Sequence, residues 1–166
     1  FQERAYLIKF RLLELPNAFP ASPRQSSHSV FESCRYATII MVEFMIRGVV
    51  LDVPSTVPVL GERLLSAAQG LDLVECFQTR AELLLWIFSL GCIACVGEGK
   101  TTFVALLGKA VRLLQTKSWQ DARDRLFNYL WIEDILDEQL QLLWAELEQQ
   151  DLSEVDAAAI LPIRQA

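Results

Sequence analysis

At 166 residues the chain has room for one domain with a core of its own and little room for a second. Its hydrophobic fraction of 52% and mean hydropathy of +0.28 lie near the apolar edge of ordinary soluble composition. The net charge of −6 is concentrated late, with eleven acidic against two basic side chains between Gln120 and Asp156; such a surface repels phosphate, so no direct nucleic-acid contact by this chain is expected.

The first predicted element is a helix over 1–14, best defined from residue 2. Glu3, Arg4 and Lys9 interrupt its apolar pattern, which a secretory signal does not tolerate. A Pro- and Ser-rich linker follows over 15–28 and carries the single histidine, His28, read as a solvated loop residue. Ser29-x-x-Glu32 has the form of a capping box, so a helix is predicted over 29–47, stopped by Gly48. Tyr36, Ile39, Ile40 and Phe44 form its stripe, with Glu43 as one charged exception. Val49 to Val53 reads as an extended connection. A helix over 57–69 takes Pro58 in its first turn and ends at Gly70.

Thr79-x-x-Glu82 opens a predicted helix over 79–96 that is apolar nearly all round, with Gly97 as its stop. Its apolar stretch, Leu83 to Val96, spans 14 residues, short of the roughly 20 that cross a membrane. It is therefore expected at the centre of the fold, with no membrane role. A helix over 100–115 comes next. Ser118-x-x-Asp121 then opens one long or two broken helices reaching about 149, with the stripe Ile132, Leu136, Leu140, Leu143 and Leu147. Residues 150–166 are expected to form a flexible tail. The fold class is all-α: a bundle or array of about six to seven antiparallel helices around 79–96, with 29–149 as the main helical body.

Little in this pattern points to chemistry. Cys34, Cys76, Cys92 and Cys95 lie in or beside apolar runs and read as buried, reduced thiols. Cys92-x-x-Cys95 lacks the βαβ setting of a redox pair and the second ligand pair of a zinc site. Residues 94–101 have the spacing of a phosphate loop with Ala94 for the first glycine, and Lys100 and Thr101 in the Lys-Thr places. A phosphate loop needs a strand before it, and a helix is predicted there, so a Gly-rich helix-to-helix turn is the preferred reading and nucleotide binding the alternative. Glu133-Asp134 and Asp137-Glu138 belong to an outward helix face. No catalytic, cofactor-binding or metal-ligating residues are expected. Trp86, Trp119, Trp131 and Trp144 are read as core anchors.

Four ordered pieces resemble the fungal-specific transcription factor domain that lies C-terminal to a binuclear zinc cluster. They are Cys34-Arg35-Tyr36-Ala37-Thr38; Leu84-Leu85-Trp86-Ile87-Phe88 with Gly91 and Ile93-Ala94; Ser118-Trp119 with Leu130-Trp131-Ile132-Glu133; and Asp137 with Leu143-Trp144-Ala145-Glu146. Gly97 to Phe103 departs from the family pattern, and Cys92 stands where a second glycine is common. The match covers residues 29 to 149, the C-terminal part of the usual domain. The resemblance implies a nuclear, non-catalytic regulatory domain that dimerises, binds proteins or senses an effector, with DNA read by a zinc cluster that this chain does not contain. The alternative is a generic helical interaction scaffold. The apolar composition adds one expectation: an exposed apolar patch bordering the helix Val30 to Arg47, and with it protein partners or self-association.

Overall fold

The structure, a computed structural model, describes residues 2–14, 25–47 and 56–159, with side chains placed over 7–14, 28–46 and 56–149. The described residues form eight helices and no strand: α1 (Gln2–Glu14), α2 (Gln25–Arg47), α3 (Thr56–Gln69), α4 (Leu73–Thr79), α5 (Ala81–Ala94), α6 (Gly97–Leu113), α7 (Trp119–Leu126) and α8 (Glu133–Ala159). The expected stop at Gly48, the extended connection Val49 to Val53 and the end of the tail lie outside the described residues.

α5 sits at the centre, as its composition requires. A helix without a polar face must be covered on every side. Residues Leu84 to Cys92, and Ala94, are all buried. α2, α3, α4, α6, α7 and α8 each pack against it. Two glycines set the closest approaches. A Cβ on Gly91 would lie 2.6 Å from the Phe103 ring, so α6 can press onto α5 only because that atom is missing. A Cβ on Gly61 would lie 2.8 Å from Cys95 Sγ, which does the same for α3. Phe88 then meets Phe103 with ring centroids 6.1 Å apart, and Phe77 edge-on at 6.3 Å.

The element boundaries correct several expectations. α2 starts at Gln25, so Ser29 lies inside the helix rather than at its cap, and His28 is helical rather than in a loop. Pro23 is the last proline before it, and Gln and Ser cost only a few tenths of a kcal/mol in a helix, so nothing local stops an extra turn. The helix count rises because of α4. Asp72-x-x-Glu75 opens it, the Asp72 carboxylate accepting from the Glu75 amide at 3.1 Å. Thr79 is the last residue of α4, its hydroxyl donating to the Glu75 carbonyl at 2.8 Å. α5 begins instead after Arg80, without a side-chain cap, because Arg80 joins two helices bent by 116° and its amide and carbonyl serve both.

Other boundaries agree. Pro58 lies in the first turn of α3, and Gly70 follows its end. Ser118 caps α7, accepting from the Asp121 amide at 3.2 Å, while Asp121 accepts from the Lys117 amide at 3.2 Å. α6 closes in a Schellman motif with Gln115 at φ 52°: Thr116 donates to the Val111 carbonyl and Gln115 to that of Arg112. The 118–149 region breaks into two helices, and α8 continues past 149 to Ala159. Leu136, Leu140, Leu143 and Leu147 are buried along it, as their spacing predicts.

Candidate interaction surface

The polar side chains that matter most lie where α2 meets α1. α2 is apolar on more than one face: Ile39, Ile40, Met41, Val42, Phe44 and Ile46 are all buried. Yet it also buries Arg35 (4% exposed) and Glu43 (1% exposed). A buried charge is costly unless paired. Each of these is paired, and each pairing reaches α1. Lys9 forms an ion pair with Glu43. Arg35 grips Glu32 through Nε at 3.0 Å and Nη2 at 2.6 Å, lies 4.3 Å above the Tyr36 ring, and donates through Nη1 to the Leu12 carbonyl at 3.1 Å. Burial pulls the Arg35 pKa down, but the Glu32 bonds and Tyr36 outweigh it and the net shift is upward. Leu12 lies in the last turn of α1, where carbonyls have no helical partner and a cation is favoured. Arg35 therefore caps α1 from the neighbouring helix.

α1 is held by these contacts and by Leu12, which packs on the core. Several of its described apolar side chains face water. Leu7 is 53% exposed, Ile8 50%, Phe10 59% and Leu13 40%. Leu7, Phe10 and Leu13 follow at steps of three and share one side of the helix, while Ile8 points nearly the opposite way from Phe10. The exposed apolar side chains next to α2 are thus on α1, while Val42 and Ile46 of α2 form a small buried cluster of their own. The signal for this anchor was the lone Glu43 in an apolar stripe, a residue that demands a partner; periodicity alone does not name Lys9 as that partner.

The other singled-out residues are structural. Cys34 is half-buried and packs on the core. Trp86 (4% exposed) donates to the Leu130 carbonyl at 2.8 Å and stacks on Tyr129 at 6.1 Å, tying α5 to the turn between α7 and α8. Trp131 is buried and donates to Asp137 at 3.0 Å; Arg123 bonds the same carboxylate and Glu133, both at 2.5 Å. Trp144 is buried and donates to Glu148 at 2.8 Å. Trp119 departs from expectation: as the first residue of α7 it is only half-buried and outside the core cluster.

The segment with phosphate-loop spacing runs from the end of α5 into α6, with a helix where the strand would have to be. Gly97, at φ +59°, makes the turn. Lys100 is paired with Glu146 at 2.8 Å, and the Thr101 hydroxyl bonds back to the Gly97 carbonyl at 3.3 Å. All four cysteines are free thiols, and burial pushes each pKa upward, that of Cys95 to about 11. Among the described residues no group of three or more His, Cys, Asp or Glu side chains could hold a metal ion, and no single helix is long and apolar enough to cross a membrane. Comparison with protein-family models, with curated proteins and with solved structures returns no match.

Proposed function

We propose that the chain is a non-catalytic regulatory and protein-interaction domain of a fungal transcription factor of the binuclear zinc-cluster kind. In this reading it works in the nucleus, a zinc cluster outside these 166 residues reads DNA, and its own partners are other proteins or a second copy of itself. The observation that carries the reading is the exposed apolar side of α1: Leu7, Phe10 and Leu13 in water, on a helix fixed in place by buried charges. Exposed large apolar side chains grouped on one element mark contact surfaces. The link to transcription rests on the resemblance, and the Trp86 bond to the Leu130 carbonyl supports it, because it joins two of the resembling pieces across 44 residues.

The test fuses the chain to a heterologous DNA-binding domain upstream of a reporter in yeast. Reporter output should change, up or down, relative to the tether alone. The double substitution Leu7→Ser with Phe10→Ser should remove that change while leaving the melting temperature within about 1 °C, since both side chains are largely exposed. A fusion without effect on the reporter, or an effect indifferent to the double substitution, overturns the proposal.

A further inference from the structure

At the N-terminal end of α2, a groove of about 340 Å³ opens between α2 and α3. His28, Glu32 and Tyr36 come from successive turns of α2 and share one face; Arg63 and Ser66 answer from α3. The helices close together at Gly70, where a Cβ would lie 2.6 Å from Ser29 Oγ. The volume falls at the small end of the range for small-molecule sites, roughly 300–1,000 Å³.

The charges in the groove are unevenly satisfied. Glu32 is gripped twice by Arg35 of its own helix, so its charge is matched before any ligand arrives. Arg63 is exposed, and no carboxylate among the described residues pairs with it. Its neighbour Glu62 acts on Cys95 along another side of α3. With Glu32 already matched by the buried Arg35 beside the groove, Arg63 is the one charge lining it that lacks a counter-charge among the described residues, in a chain whose net charge is −6. A guanidinium presents paired N–H donors that match two oxygens of one oxyanion. The Ser66 hydroxyl and the His28 imidazole add donors around it. A cationic ligand would meet Arg63 unfavourably, and an apolar one would find little besides Ala67 and the Tyr36 ring.

We infer that this groove binds a small oxyanion-bearing molecule, a carboxylate or a phosphate ester, with Arg63 as the group that grips it. The inference concerns what the groove holds and stands whether or not the chain regulates transcription.

The experiment records amide NMR spectra of the whole chain while inorganic phosphate or succinate is added at constant ionic strength. One or both probes should shift amides of the first turns of α2 and the middle of α3, saturably and with a millimolar dissociation constant. Response to phosphate alone assigns a phosphate ester, and response to succinate alone a carboxylate. Arg63→Ala should weaken binding about tenfold or more, the factor expected for losing a charge-assisted bidentate contact. Lys109→Ala, an exposed cation on α6, should leave it unchanged. Arg63 is exposed, so its variant should fold, and an unchanged melting temperature verifies that. Three outcomes overturn the inference: no saturable shift with either probe, shifts spread over all surface cations, or equal binding by Arg63→Ala.

Discussion

α1 and α5 are helices of nearly equal length, 13 and 14 residues, and both are rich in leucine, isoleucine and phenylalanine. They are held in opposite ways. α5 is enclosed by six other helices, and its one buried polar side chain, Ser89, satisfies itself on the Leu85 carbonyl at 2.8 Å. α1 leans on α2 and keeps its place through charges: Lys9 on Glu43, and Arg35 on the Leu12 carbonyl. Apolar burial is strong but indifferent to register, whereas a buried ion pair is worth little net yet punishes any misplacement. The centre of the molecule therefore carries its stability, and the α1–α2 seam carries the positioning of an exposed face.

Substitutions can separate the two regions, beginning with the largest effect. Trp86→Ala removes a buried indole and leaves the Leu130 carbonyl without its donor, so it should cost roughly 3–5 kcal/mol and unfold the whole chain cooperatively in a thermal melt. Lys9→Ala takes one partner from the buried Glu43 carboxylate, a change of about 2–3 kcal/mol. The molecule can relieve that cost by releasing α1 alone. Hydrogen exchange should then show α1 amides losing protection while α5 amides keep theirs; simultaneous loss in both helices would abolish the distinction drawn here.

A third effect is tied to pH and to the central region. Burial, with the Glu62 carboxylate adding to it, pushes the Cys95 thiol from 9.0 up to about 11. The folded chain thus keeps a proton that the unfolded chain releases. The sign follows: this contribution is complete below about pH 9 and is lost as the pH rises through about 11. Melts of Cys95→Ala across that window should show a shallower decline than the parent, by at most about 2 kcal/mol. The smallest effect contrasts two Lys–Glu pairs. Lys100 and Glu146 are 39% and 38% exposed, against 17% and 1% for Lys9 and Glu43. Lys100→Ala should cost under about 0.5 kcal/mol in the same melt, since water already screens that pair.

Some of this is legible in the sequence alone. The stripe on α8, the Ser118 cap, the central place of α5 and the helix-to-helix turn at Gly97 all follow from periods of three and four, from hydroxyl caps and from the absence of a polar face. Other features are not. α4 does not show in the apolar pattern although Asp72-x-x-Glu75 caps it, because seven residues are too few for a period. Trp119 has the residue type of a core anchor, but its position at the first turn of α7 leaves one side open.

What the sequence by itself determined is the class of fold and the identity of its centre, because secondary structure and burial on all sides depend on residues near one another in the chain. Only the tertiary structure decided which surface is left over. Val42 and Ile46 are as apolar as Leu7 and Phe10, yet the first pair is buried and the second exposed. That arrangement depends on Lys9 reaching Glu43 and Arg35 reaching Leu12, contacts 34 and 23 residues apart, whose pairing no local pattern encodes.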